Sequence, residues 1–104
     1  MGTQEQELQE IVRRIVSAVH PLRIILFGSA ARGDPQARDL DLMVVMPEGA
    51  HRRHTAQYLY RVLYGVTVPF DLLVALPQDL ERHRHNPALI YRTVLEEGKT
   101  LYAA

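Results

Sequence analysis

Residues 22–46, LRIILFGSAARGDPQARDLDLMVVM, contain the signals that decide the fold. Leu22–Phe27 and Leu40–Met46 are short runs rich in aliphatic residues, and such runs predict two buried strands. Gly28 and Ser29 follow the first run directly, which predicts that the strand ends in a tight turn leading into one or two helical turns. The stretch therefore predicts a strand, a glycine turn, a short helix and a second strand in close succession.

Apolar residues recur at helical spacing on both sides of this stretch. The first predicted helix runs from Thr3 to Val19 and opens with a capping box formed by Thr3 and Gln6. A second helix is predicted from His51 to Tyr64. The apolar face of this second helix consists of Ala56, Leu59, Tyr60 and Leu63.

The rest of the chain continues the alternation of helices and strands. Val66–Val74 predicts a third strand, placed at an edge of the sheet or carrying a bulge because Pro69 cannot donate a ladder hydrogen bond. Alternating elements of this kind predict an α/β (α+β) fold, and the length predicts a single domain over residues 1–104. The remaining predicted elements are a short helix at Asp79–Arg84, a helix from Asn86 and Pro87 to Glu97 with Gly98 as its C-cap, and a strand at Lys99–Tyr102.

The composition argues against several classes of function. Lys plus Arg and Asp plus Glu each number 12, so the chain lacks the basic excess of a protein that binds many nucleic-acid phosphates. It contains no cysteine for a disulfide or a thiolate site. The polar, acidic N-terminus is unlike a signal peptide, and no apolar run is long enough to span a membrane. We therefore expect a cytoplasmic protein that binds neither membranes nor nucleic acid directly.

Asp39 and Asp41 lie at the start of the second predicted strand. Side chains two residues apart project from the same face of a strand, with Cα atoms roughly 6–7 Å apart. Like charges held so close repel each other, and a divalent cation between them removes that cost. Mg²⁺ binds one or two carboxylates together with water and substrate phosphates, and two ions about 3.5–4 Å apart would fit such a pair. One ion would hold a triphosphate and the other would activate an acceptor hydroxyl.

Asp71 and the glycine turn supply the other parts of a candidate site. Asp71 is the single charged residue of an apolar strand, where a lone carboxylate is costly unless it is paired or bound to metal. It would serve as a ligand of the acceptor-side ion, as a general base, or as both. Gly28 lets a phosphate approach the backbone closely, and the Ser29 hydroxyl can donate to a phosphate oxygen. Two nearby arginines are placed to neutralise phosphate charge, namely Arg32 and Arg38.

Two segments together, FGSAARGDPQARDLDLMVV (residues 27–45) and VPFDLLV (residues 68–74), resemble the DNA polymerase β-type nucleotidyltransferase superfamily. They are most similar to its minimal nucleotidyltransferase (MNT) branch, and the similarity extends to residues 77–104. The resemblance implies the nucleotidyltransferase fold, a mixed β-sheet flanked by helices. It further implies that Gly28 and Ser29 form the nucleotide-phosphate motif, that Asp39 and Asp41 are metal ligands, and that Asp71 is the third carboxylate.

The same resemblance implies an activity and a partner. Members of this branch often form toxin–antitoxin pairs with HEPN-domain proteins, and the MNT member is the antitoxin. The antitoxin transfers AMP from ATP to a tyrosine of the HEPN toxin, an RNase, and thereby blocks it. The resemblance therefore implies a nucleotidyltransferase that uses two Mg²⁺ ions, ATP or another nucleoside triphosphate as donor, and a HEPN-domain protein as partner.

The sequence departs from the branch at two places near the carboxylates. The spacer between Ser29 and Asp39 holds nine residues, one fewer than we expect for the branch. Arg38 occupies the position where Ser or Thr commonly precedes the first aspartate. A shorter loop would tilt the glycine turn relative to the carboxylates, so these departures bear on activity more than on fold.

Two other functions fit parts of the sequence. A catalytically silent antitoxin would neutralise its partner by binding alone, which suits the small size and the shortened spacer. A small-molecule nucleotidyltransferase of the aminoglycoside-modifying kind would need a further helical domain or a dimer to hold its acceptor, and no such domain fits in this chain. Exposed strand edges and aromatic side chains would suit a homodimer or a hetero-complex.

Overall fold

The computed structural model describes residues 4–86 and 89–104, so the predictions that rest on Thr3 and Pro87 lie outside the described residues. Across these ranges, no helix is both long enough and apolar enough to cross a membrane. The elements in chain order are α1 (Gln4–Val19), β1 (Arg23–Phe27), α2 (Gly28–Ala31), β2 (Leu40–Val45), α3 (Arg52–Val62), β3 (Phe70–Ala75), α4 (Pro77–His83), α5 (Ile90–Glu97) and β4 (Lys99–Ala103).

The four strands form one mixed sheet in the order β3-β2-β1-β4. β1 pairs antiparallel with both β2 and β4, whereas β2 and β3 are parallel. A parallel pair needs a crossover connection, which α3 provides, and the crossover brings the first residues of β2 and β3 to the same end of the sheet. The mixed sheet flanked by helices that the sequence predicts is confirmed.

The third strand begins at Phe70, so the predicted start at Val66 is wrong. Pro69 lies just outside the strand, and its carbonyl accepts a hydrogen bond from the Leu40 amide at 3.0 Å. Pro69 has no N–H with which to continue the ladder. β3 is an edge strand, which confirms the position inferred from this proline.

Alternating strand residues build an apolar layer on each side of the sheet. On one side, α1 and α3 cover the strands with the buried residues Ile11, Ile15 and Leu59, and Leu63, directly after α3, is buried with them. On the other side, Val94 of α5 is buried, and α4 contributes a partly buried leucine. We call this second side the α4/α5 face. Its buried strand residues are Ile25, Met43, Val45 and Ala75.

The last helix differs from its predicted form at both ends. α5 begins at Ile90 after Leu89, its N-cap residue in extended backbone, so the predicted start at Asn86 is wrong. Gly98 is the C-cap, as predicted, but its φ of −71° is not the left-handed conformation that usually favours glycine there. A β-carbon on Gly98 would overlap the Val94 carbonyl and a β1 side chain. Glycine is therefore required for close packing of α5 on the sheet.

Asp79 lies in the first turn of α4, which begins at Pro77 and not at Asp79 as predicted. Its carboxylate accepts a hydrogen bond from the Leu76 amide at 2.9 Å and contacts the Arg52 guanidinium at 2.6 and 2.7 Å. Burial opposes ionisation of Asp79, but the hydrogen bonds from Arg52 and Leu76 outweigh it, so the pKa of Asp79 lies below its ordinary value. This ion pair ties the start of α3 to α4.

Replacing Asp79 by Asn removes the negative charge that accepts hydrogen bonds from Arg52 and the Leu76 amide. We therefore expect the unfolding free energy to fall by about 1–3 kcal/mol at neutral pH. The stabilisation from Asp79 is present above the ordinary aspartate pKa of about 3.9 and is lost as the pH falls through the lower folded-state pKa. The difference between wild type and Asp79→Asn should therefore shrink in acid. Urea unfolding as a function of pH measures this difference. Glu81→Gln is the control, because that side chain is 78% exposed on the same helix; an Asp79→Asn effect that does not vary with pH would contradict the ion pair.

Candidate active site

Two aspartates lie side by side at the start of the parallel pair β2–β3. Asp41 and Asp71 are Cα partners in the register of these strands, so their Cα atoms are about 4.8 Å apart, the ordinary spacing of neighbouring strands. By the alternation of strand residues, both side chains project from the α4/α5 face, where Met43 and Ala75 are buried further along the same strands. The structure therefore places Asp41 and Asp71 on one side of the sheet, as the sequence predicts.

The charges of two other aspartates, Asp71 and Asp39, act on Asp41 at this point. Asp41 is half-buried, and its pKa is raised by burial first, then by the charge of Asp71 and then by that of Asp39. Asp39 precedes β2 by one residue and is exposed, as is Asp71. We call these three residues the acidic centre. The raised pKa of Asp41 means that a further negative charge is unfavourable here, so the acidic centre favours a cation.

The glycine turn lies directly against the acidic centre. Phe27, the last residue of β1, is the Cα partner of Asp41, and Gly28 follows it with a φ of +75°. The positive φ favours glycine, and a β-carbon on Gly28 would overlap the Asp41 carboxylate unless that side chain turned away. Ser29 is half-buried in α2, which is a single turn of four residues. A phosphate at this turn would thus depend on individual N–H groups and the Ser29 hydroxyl more than on a helix dipole.

Internal hydrogen bonds fold the spacer loop, residues 32–38, into a compact turn. The Asp34 carboxylate accepts a hydrogen bond from the Gln36 amide at 2.8 Å, and the Asp34 carbonyl accepts one from the Ala37 amide at 3.0 Å. These bonds turn the chain back toward β2. The nine residues between the glycine turn and the first aspartate are therefore enough to keep Gly28 against Asp41.

Two arginines of the spacer loop were predicted to neutralise phosphate charge. Arg32 and Arg38 are both exposed. Neither takes part in an ion pair within the part of the chain that the structure describes. Neither is among the groups that shift the pKa of Asp41. The structure thus does not join them to the acidic centre, and it leaves both guanidinium groups open to a ligand.

The acidic centre suits a metal ion that is shared with a substrate. Within residues 4–86 and 89–104, no three His, Cys, Asp or Glu side chains form a group that could hold a metal by themselves. Mg²⁺ does not need such a cage, because it binds one or two carboxylates and completes its shell with water and phosphate oxygens. Asp41 and Asp71 offer oxygen donors at paired register positions, next to the turn where a phosphate would lie.

A cavity of about 980 Å³ lies between α1 and β4, on the side of the sheet opposite the side chains of Asp41 and Asp71. Leu26 and Leu40 line it, and these strand residues belong to the side of the sheet covered by α1 and α3. The acidic centre lies on the opposite side, where two of its three aspartates are exposed. This open surface would admit an acceptor group presented by another large molecule.

One contact near the acidic centre was not predicted. The Tyr60 hydroxyl accepts a hydrogen bond from the Leu72 amide at 3.1 Å, and the Tyr60 ring stacks on Phe70. Helical spacing grouped Tyr60 with the core residues of α3, but this side chain is 45% exposed and lies at the edge of β3. No sequence pattern signals that an aromatic hydroxyl will bind the edge of a neighbouring strand.

Comparison with known sequences identifies a family. The family model for the nucleotidyltransferase domain matches residues 5–101, nearly the whole chain. No curated protein matches the chain significantly in sequence.

Several solved structures are similar to the chain. A candidate nucleotidyltransferase from Sulfolobus solfataricus has a TM-score of 0.64 at 22% identity, with 94% of this chain and 78% of that chain covered. A tyrosine-to-alanine mutant of the toxin–antitoxin MntA–HpeT has a TM-score of 0.62 at 18% identity, with 99% and 75% covered. A toxin–antitoxin structure with AMP-PNP has a TM-score of 0.56 at 23% identity, with 98% and 75% covered. At these identities the likeness shows a shared fold.

Two glycines of this region provide a matched test of the close approach at the acidic centre. Gly28 and Gly33 have φ values of +75° and +74°, but only the β-carbon at Gly28 would meet another residue within 4 Å. Gly28→Ala and Gly33→Ala should each lower the unfolding free energy by about 1–2 kcal/mol, because alanine is strained at positive φ. Only Gly28→Ala should shift the carbon-13 resonance of the Asp41 carboxyl group. If the chemical shift of the Asp41 carboxyl carbon is the same in both variants, the close approach of Gly28 to Asp41 is contradicted.

Removal of Asp71 tests whether the carboxylates interact. Asp71→Asn removes a charge that raises the pKa of Asp41, so that pKa should fall toward the ordinary aspartate value of about 3.9. An NMR titration of the Asp41 carboxyl carbon measures the change, and Glu48→Gln, beyond the other end of β2, is the control. If the pKa of Asp41 does not respond to Asp71→Asn, the two carboxylates do not share one site.

Proposed function

Because the chain belongs to the nucleotidyltransferase domain family and is therefore a nucleotidyltransferase, we propose that it transfers AMP, or another nucleoside monophosphate, from a nucleoside triphosphate to a protein. Its acceptor is a tyrosine of a HEPN-domain toxin, and the chain acts as the antitoxin of that partner. The observation that carries this proposal is the register of Asp41 with Asp71 beside the Gly28 turn.

Each part of the site has a role in this reaction. The acceptor oxygen forms a bond to the α-phosphorus, the α–β phosphoanhydride bond breaks, and pyrophosphate leaves. The Gly28 backbone and the Ser29 hydroxyl bind oxygens of the triphosphate. The exposed Asp71 carboxylate is placed to receive the proton of the acceptor hydroxyl, to bind a metal ion, or both. Arg32 and Arg38 are exposed on the spacer loop and are available to bind the leaving pyrophosphate.

The proposed metal site consists of Asp39, Asp41 and Asp71. Two of these carboxylates are register partners, and the charge of the third reaches Asp41. Bound Mg²⁺ neutralises phosphate charge and lowers the pKa of an attacking hydroxyl. Through such ions the carboxylates would fix the triphosphate relative to the acceptor, because both strands of the parallel pair hold the backbone positions of Asp41 and Asp71.

Three observations favour a macromolecular acceptor and a toxin partner. The acidic centre is an open surface and not an enclosed pocket. Tyr64, two residues beyond the end of α3, is 88% exposed, which suits contact with another protein. Two of the structures that share the fold are toxin–antitoxin systems, one of them with the ATP analogue AMP-PNP.

A labelling experiment tests the proposed reaction. We expect purified chain, Mg²⁺ and ATP labelled on the α-phosphate to transfer label to the HEPN-domain product of a neighbouring gene. Label on the partner should vanish for the double variant Asp39→Ala, Asp41→Ala and should persist for Glu96→Ala, which removes an exposed carboxylate on α5. Label transfer that survives the double aspartate variant would overturn the proposal.

The same variants separate catalysis from neutralisation by binding. A catalytically silent antitoxin would still neutralise its partner after the aspartates are replaced. We expect instead that the double variant forms the complex, measured by co-purification, and fails to block the toxin. Neutralisation by the double variant would favour the binding module over the enzyme as the antitoxin mechanism.

A further inference from the structure

Tyr60 contacts both neighbours of Asp71 in the strand. Its hydroxyl accepts a hydrogen bond from the Leu72 amide at 3.1 Å. Its ring stacks on the Phe70 ring, with centroids 5.5 Å apart and planes at 19°. The residue before Asp71 and the residue after it are therefore held by one side chain from α3.

The Leu72 amide is available for this bond because β3 is an edge strand. The Leu40 amide donates to the Pro69 carbonyl and the Met46 amide donates to the Ala75 carbonyl. In a parallel ladder every second residue of a strand directs its backbone N–H and C=O groups to the same neighbour. The backbone groups of residues 69, 71, 73 and 75 therefore point toward β2, and those of residues 70, 72 and 74 point away from it. The outward amide of Leu72 would otherwise bond to water, and Tyr60 replaces that water with a fixed acceptor.

Tyr60 directly follows a core residue of α3. The preceding residue, Leu59, is fully buried and packs between α3 and the sheet. Asp71 itself is exposed, so its direction is set by its backbone and not by packing of its own side chain. On one side β2 holds that backbone, and on the open side the Tyr60 contacts hold it.

We propose that Tyr60 is a positioning residue, which orients the Asp71 carboxylate toward Asp41 by fixing Phe70 and Leu72 on the open edge of β3. The inference rests on the proposed function, in which Asp71 and Asp41 share a metal site. Tyr60 lies on the α3 side of the sheet and Asp71 projects from the other, so Tyr60 acts through the strand and does not touch the reacting groups.

A purely protective role for Tyr60, in which it covers a strand edge against pairing with other chains, makes a different prediction. Such a role would not alter the affinity of the site for a metal ion. The two roles are therefore separated by a measurement of metal binding on the folded chain, without an acceptor and without turnover.

The test is a titration of Mn²⁺, followed by electron paramagnetic resonance, on the chain saturated with AMP-PNP. Tyr60→Phe keeps the ring that stacks on Phe70 and removes the hydroxyl. We expect Mn²⁺ to bind about fivefold more weakly to this variant, the effect of losing about one ordinary hydrogen bond. Hydrogen exchange of the Leu72 amide should become faster, while the thermal midpoint shows that the variant remains folded.

Tyr58→Phe is the matched control, because Tyr58 lies on the same helix and is also 45% exposed. We expect Tyr58→Phe to bind Mn²⁺ as the wild type does and Asp71→Asn to bind it most weakly. If Tyr60→Phe matches the wild type in Mn²⁺ affinity, Tyr60 is not a positioning residue. If the wild type itself binds Mn²⁺ no better than the double variant Asp39→Ala, Asp41→Ala, the metal site of the proposed function fails, and the role of Tyr60 fails with it.

Discussion

The geometry of the acidic centre depends on the parallel pairing of β2 with β3. Backbone hydrogen bonds hold Asp41 and Asp71 at paired positions, although burial and the charge of Asp71 raise the pKa of Asp41. The repulsion is tolerated because the ladder and the apolar residues beyond it, such as Met43 and Ala75, fix the two strands independently of the carboxylates. The electrostatic cost of this repulsion is confined to one end of the sheet, where water and ligands can reach the carboxylates.

The sequence was sufficient to predict most of this arrangement. The strand that ends at Phe27, the glycine turn after it, and the alternation of aspartate with apolar residues from Asp39 onward specify which side chains share a face. The position of Pro69 correctly indicated an edge strand, because a residue without an N–H has few places in a sheet. These features could be predicted because each depends on one local property of the backbone: the alternation of strand side chains, the conformational freedom of glycine, or the missing N–H of proline.

Other features depend on contacts between segments that are distant in the chain. Nothing near Asn86 indicates that α5 will begin only at Ile90, and the strand start at Phe70 depends on pairing with β2. Gly98 was assigned to the right position for the wrong reason, because its requirement comes from packing against β1 and not from a left-handed backbone. The contact of Tyr60 with the edge of β3 also depends on how distant segments pack, because one hydroxyl of α3 joins that helix to the strand.

The placement of the aspartates also divides the site into a fixed part and a variable part. Asp41 belongs to the inner strand β2, Asp71 to its edge neighbour β3, and Asp39 directly precedes β2, whereas the spacer residues 32–38 form an exposed loop organised mainly by Asp34. Insertions and deletions are accommodated far more readily in such a loop than in a ladder. Evolution can therefore change the length and charge of this loop while Asp41 and Asp71, which the ladder holds in register, keep their place.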